Sequence, residues 1–165
     1  MDISLFDVQT GEKVSVRIEL IQKEDLGKIK SNKGFTFDWQ KEKDFELYKL
    51  FNIEKDEILG LLSVADRSES LVVEIRLLES VATNVGKHKK VEGVAGCLIA
   101  WACRLSFIRG YDGWVMLTAK TALIKYYCGK YGMKQVGNSQ VCVIEQDQSY
   151  KLIQYYLEGG ISKSK

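Results

Sequence analysis

The sequence predicts a mixed α/β fold in which an antiparallel meander leads into a parallel crossover. Three observations carry that prediction. Val14, Val16, Ile18 and Leu20 alternate with Ser15, Arg17 and Glu19, the period of a half-buried strand. Residues 45–51, 58–65 and 71–81 are strand-prone runs separated by short polar turns, as antiparallel neighbours are. A small-residue loop, an apolar helix and a further short strand then follow, and two strands joined through a helix lie parallel.

Taken in order, residues 3–8 read as a short strand, turned by Thr10-Gly11 into the alternating strand at 14–20. The stretch 22–43 is mostly polar, with a short helix expected near 23–30 and irregular structure around Gly34. The three strands at 45–51, 58–65 and 71–81 follow, then a polar loop, 82–89, holding Asn84, Gly86 and His88. On the next helix Val94, Leu98, Trp101, Leu105 and Ile108 share a face at helical spacing, and Gly110 is a plausible stop. Residues 114–119 form a short apolar strand. A second helix spans 121–131, with Leu123, Ile124, Tyr127, Cys128 and Tyr131 on one face and Gly132 at its end. Residues 134–136 and 140–145 pair as a hairpin around Gly137-Asn138. Asp147 is expected to cap a last helix, stopped by Gly159-Gly160.

Composition bounds the function. A chain of 165 residues fits one domain over 1–165 with a real core. A net charge of only +2 gives no strong electrostatic case for nucleic acid. No apolar run is long enough to span a membrane, and the first residues do not read as a signal peptide. Cys97, Cys103, Cys128 and Cys142 form no CxxC pair, and His88 is the single histidine. No metal site is expected, and the thiols read as buried groups in a reducing cytoplasm.

The chemistry-bearing stretch is Lys89-Lys90-Val91-Glu92-Gly93-Val94-Ala95-Gly96. No side chain larger than Val lies between Gly93 and Gly96, so backbone N–H groups are open to a ligand where a helix begins. Unpaired donors and the positive end of the helix dipole suit a phosphate or pyrophosphate there. The same cluster also fits a tight turn with close helix packing.

With these residues in place the chain resembles the GNAT superfamily of N-acetyltransferases. That family's signature is Gln or Arg, two residues, Gly, one residue, then Gly or Ala; Lys90, Gly93 and Ala95 occupy those places, with Leu98 at the usual leucine. A second signature, an aromatic pair on a helix with a Gly-Phe-like end, reads here Ala122-Leu123-Ile124-Lys125-Tyr126-Tyr127, then Tyr131-Gly132-Met133. The resemblance covers about residues 14–145. The chain departs from the pattern at Lys90, in the long connection from Val81 to Lys90, and in an aromatic motif one residue longer than usual.

The resemblance implies a mixed, mostly antiparallel central sheet, a V-shaped splay between two parallel strands, and helices on both faces. It implies acetyl transfer from acetyl-CoA to a primary amine of a small molecule or protein, by direct attack in a ternary complex. Amides of Val91, Glu92, Gly93, Val94, Ala95 and Gly96 would hold the pyrophosphate, with Lys87, Lys89 or Lys90 adding charge. Glu79, Ser80 and Val81 would line the splay, where strand backbone pairs with the pantetheine arm and polarises the thioester. Glu79 is the first candidate base and Glu74 the second; His88 is a further loop candidate. A phenol should protonate the departing thiolate. Counting back from Met133 gives Cys128 and counting forward from Ala122 gives Tyr126; Tyr127, between them, is preferred because its face carries Leu123 and Tyr131. The acceptor pocket is expected from residues 22–39 (Phe35, Phe37 and Trp39 among them) and from the hairpin at Gly137. The alternatives are a catalytically silent CoA-binding or protein-interaction module and a toxin that acetylates charged tRNA. A homodimer is common for this fold.

Overall fold

A computed structural model describes residues 2–31, 34–85 and 89–159. Among them nine strands form one sheet: β1 (Asp2–Asp7), β2 (Lys13–Leu20), β3 (Glu46–Asn52), β4 (Glu57–Arg67), β5 (Val72–Ser80), β6 (Val91–Glu92), β7 (Val115–Thr118), β8 (Lys134–Gln135) and β9 (Val141–Ile144). Their order across the sheet is β6-β1-β2-β3-β4-β5-β7-β9-β8. The helices are α1 (Lys23–Ser31), α2 (Val94–Ile108), α3 (Ile124–Tyr131) and α4 (Gln146–Tyr156). Every neighbouring pair of strands is antiparallel except β5 and β7, which run parallel as the crossover requires.

The sheet is covered on both faces. Ile21, Leu26, Ile29, Trp39, Leu47 and Leu61 form a core under α1 and the 3-10 turn Trp39–Glu42. The larger core lies on the other face, where Leu62, Val64, Val73 and Ile75 of the sheet meet Cys97, Leu98 and Leu105 of α2 and Leu152 and Ile153 of α4. Helix α2 is thus packed between sheet and α4, and its buried set runs nearly round its circumference. The single face expected from spacing does not hold: Ile108 is 70% exposed, while Ile99, Ala100 and Ala102 are fully buried. Gly96 lies under α4, where a Cβ would overlap the ring of Tyr156.

Three further local readings are corrected. Residues 91–92, expected as loop, pair with β1 through Phe6↔Glu92 and Asp7↔Val91. Asp147 lies inside the first turn of α4; Glu145 is the N-cap residue and makes no side-chain cap hydrogen bond. Leu123 is 41% exposed, because the residues before Ile124 form a 3-10 turn that breaks the helical phase.

The feature that makes the site is where β5 and β7 part. Their ladder holds only Val73↔Val115, Glu74↔Met116 and Ile75↔Leu117. Against β4, the β5 register shifts between Ser63↔Leu77 and Val64↔Ile75, which leaves Arg76 as the extra residue of a bulge. A bulge bends its strand and increases the local twist. Beyond Arg76, β5 continues to Ser80 with β4 alone.

Candidate functional site

A cleft of about 680 Å³ opens from this splay to the start of α2. Its strand wall is Leu78, Glu79 and Ser80. The Val81 N–H donates to the Leu59 carbonyl at 2.9 Å. Alternation along an antiparallel ladder therefore turns the amides of Glu79 and Leu77 toward β4, and those of Leu78 and Ser80 toward the open edge. Before the bulge the phase is opposite: the Val73 N–H donates to the Trp114 carbonyl, on the β7 side, at 3.2 Å. The bulge thus delivers backbone donors and acceptors to an edge that a strand-like ligand can pair with. Val81 itself is buried and does not line the cleft.

The phosphate-sized end is built by β6 and α2. Gly93 is the N-cap of α2 at φ 95, a left-handed conformation that favours glycine. Gly93 has no side chain with which to cap this end, and the first intrahelical bond runs from the Cys97 N–H to the Gly93 carbonyl at 2.9 Å. The amides of Val94, Ala95 and Gly96, all lining the cleft, have no acceptor within the helix. Asn84 aims this loop. It is 4% exposed, its Oδ1 accepts from the N–H groups of Lys90 and Val91 at 2.7 Å each, and its Nδ2 donates to the Val91 carbonyl at 2.9 Å. Of the two adjoining lysines, Lys89 lines the cleft; Lys90 faces a smaller depression on the β1 side. Lys87 and His88 lie outside the described residues.

The third wall is aromatic. Tyr126, Lys130 and Tyr131 of α3 and Tyr156 of α4 line the cleft. Tyr126 is 49% exposed and stands edge-on to Tyr131, with ring centroids 6.1 Å apart. Burial pushes the phenols of Tyr131 and Tyr156 up, the latter to about 12. Tyr127 packs against the large core, where burial also raises its phenol. Neither Tyr127 nor Cys128 is among the cleft residues, so Tyr126 is the one of the three that faces it.

The carboxylates separate clearly. Glu79 accepts four hydrogen bonds, from the Thr36 N–H at 2.7 Å, the Thr36 hydroxyl at 2.8 Å, the Phe37 N–H at 3.3 Å and Trp39 Nε1 at 2.9 Å. It pins the segment after α1 across the splay, and Thr36 and Phe37 thereby become the cleft wall on the α1 face. Trp39 is core and 3% exposed, and Phe35 packs between the two cores. Glu74 sits at the other end of β5, bound to Arg67 at 2.7 Å, and does not line the cleft. Neither does the hairpin at Gly137. Among the described residues no His, Cys, Asp and Glu side chains cluster as metal ligands would.

Asn84, Leu78 and Lys130 are among the cleft residues to which sequence reasoning assigns no role, whereas Tyr126 is one of the three positions it offers for the proton donor. Lys130 follows Tyr126 by four residues, which on a helix places both on one face. No sequence signal marks Asn84 as buried.

No protein-family model matches the chain, and no curated protein matches it in sequence. Solved structures do match, over most of its length. AtaT complexed with acetyl-methionyl-tRNAfMet is similar at 12% identity and a TM-score of 0.55, covering 84% of this chain and 99% of that one. The KacTA–DNA complex is similar at 16% identity and 0.58, with 84% and 98% covered. An N-acetyltransferase from Staphylococcus aureus Mu50 is similar at 14% identity and 0.52, with 79% and 98% covered. The chain has the GNAT fold. In this GNAT fold the splay, the glycine loop and the aromatic helix meet around a single cleft. Among the described residues no helix is long and apolar enough to cross a membrane.

Proposed function

We propose that the chain works as one domain that transfers an acetyl group from acetyl-CoA to an amine while both are bound. The observation that carries this reading is that the free edge of β5 and the uncapped start of α2 open into the same cleft. Two of the solved neighbours support it: AtaTR bound with AcCoA, and a tyrosine-to-phenylalanine AtaT mutant bound to the antitoxin AtaR C-terminus and acetyl-CoA.

The residues fit such a cofactor. Amides of Val94, Ala95 and Gly96 offer a pyrophosphate a ready set of donors, and Lys89 and Lys130 add charge beside them. Leu78 and Ser80 offer backbone pairing to an extended pantetheine arm, and the Leu78 amide is placed to donate to a carbonyl oxygen as negative charge develops on it. Acetyl-CoA supplies the thioester whose carbonyl carbon the amine attacks. Tyr126 takes the role first expected of Tyr127, giving a proton to the departing sulfur. The oxygens of Glu79 are already engaged by four donors, so we assign Glu79 to holding the Thr36–Phe37 wall and leave the amine's proton to water in the cleft.

Calorimetric titration with acetyl-CoA tests the reading, using wild type and Ala95→Asp. An acidic residue in the first turn favours the helix and repels a phosphate from it. Binding by wild type that is lost in a folded Ala95→Asp protein supports the cofactor site. Mass spectrometry with a polyamine, a peptide with a free amino terminus and an aminoacyl-tRNA then identifies the acceptor class. No binding by wild type overturns the reading in favour of a fold kept for a protein partner.

A further inference from the structure

Glu92 immediately precedes the Gly93 cap and lines the cleft. One of its carboxylate oxygens lies 3.6 Å from the Lys89 ammonium and 3.7 Å from that of Lys130. Lys130 comes from α3, so the second contact spans the cleft from the aromatic wall to the glycine loop. The side chain of Glu92 is 53% exposed, and its backbone is held in β6 by pairing with Phe6. A carboxylate flanked by two ammonium groups at a helix start occupies the electrostatic place of a ligand phosphate.

We propose that Glu92 is an internal competitor for the two lysines, setting how tightly the cleft holds a polyphosphate and easing the release of spent CoA. This rests on the cofactor reading above. A diphosphate entering at α2 must share Lys89 and Lys130 with an anion that does not leave. The trio carries one net positive charge with Glu92 ionised and two without it. Two ligand charges about 6 Å from one carboxylate, at the dielectric of water, correspond to roughly a tenfold change in affinity. That effect belongs to charges in solvent and fades as salt screens them.

The test is titration of CoA and of S-acetylpantetheine, which lacks phosphates, into wild type, Glu92→Gln and Lys130→Gln at low and high salt. Glu92→Gln keeps the side chain's size and its backbone pairing. The expected result is CoA binding about tenfold tighter in Glu92→Gln at low salt, with the gap closing at high salt. Lys130→Gln weakens CoA binding, and S-acetylpantetheine binds all three proteins alike. Binding by wild type with no gain in Glu92→Gln, or an equal gain for S-acetylpantetheine, overturns the role of Glu92 alone. No binding of CoA or acetyl-CoA by any variant overturns the cofactor reading and this role with it.

Discussion

Arg76 donates its Nε–H to a carboxylate oxygen of Glu42 at 2.9 Å, and its guanidinium lies 3.8 Å from the ring centroid of Phe45. Arg76 is the bulge residue of β5, and Glu42, 8% exposed, also accepts from the Ser63 hydroxyl at 2.9 Å. The extra residue of the bulge is thereby tied to the α1 face, just beyond the last β5–β7 pair. Glu42→Ala leaves a partly buried guanidinium without its partner and is expected to cost about 3 kcal/mol. Glu42→Ala/Arg76→Met should recover part of that. Urea unfolding of wild type and both variants checks it; equal midpoints for wild type and Glu42→Ala would show that the pair contributes nothing.

Asn84 makes three hydrogen bonds to the backbone of Lys90 and Val91 from a buried position. Asn84→Ala strands two amides and a carbonyl, at a cost of roughly 1–3 kcal/mol. The glycine loop loses its aim, so acetyl-CoA affinity should fall about tenfold or more while far-UV circular dichroism stays unchanged.

Gly96 meets the ring of Tyr156 where α2 crosses α4. Gly96→Ala is expected to destabilise by about 1–3 kcal/mol through overpacking, despite alanine's better helix propensity. Combining it with Tyr156→Leu should restore part of the loss in a thermal melt.

Tyr126→Phe removes the phenol facing the cleft, whereas Tyr127→Phe alters one packed into the core. Steady-state kinetics should show kcat reduced about 10- to 100-fold in Tyr126→Phe with acetyl-CoA affinity kept. Tyr127→Phe should turn over close to wild type. The reverse pattern would return the proton-donor role to Tyr127.

Burial raises the phenols of Tyr48 and Tyr156 from 10.0 to about 12. The folded protein therefore keeps protons that the unfolded chain releases. This contribution to stability is full below pH 10 and is lost as pH rises toward 12. Alkaline titration of tyrosinate absorbance should show a late phase near pH 12, merging with the main phase in denaturant.

Much of this was legible in the chain. The alternation of Val14, Val16, Ile18 and Leu20 reports β2 because one face of that strand is buried and the other is not. The small residues at 93–96 report a helix start because Gly93 needs a positive φ and Gly96 a near neighbour. What stayed hidden depends on distant partners. The burial of α2 on most sides follows from α4 lying over it, and β6 exists because β1 is there to pair with it. The choice among Tyr126, Tyr127 and Cys128 turned on helical phase, and the 3-10 turn Thr121–Leu123 shifts that phase at the outset. The bulge at Arg76 leaves no trace in the pattern of β5.

The short β5–β7 ladder also bears on how the molecule comes apart. Six strands, β6 to β5, lie on one side of it and β7, β9 and β8 on the other, joined within the sheet by three residue pairs. We expect sub-global opening to start at this seam, because so few ladder pairs cross it. A ligand that pairs with β5 while touching α3 would rivet the two halves. Unfolding of the free protein should then be less cooperative than that of the complex, and amide exchange at Leu78 and Ser80 should slow on binding well before that of the β3–β4 core changes.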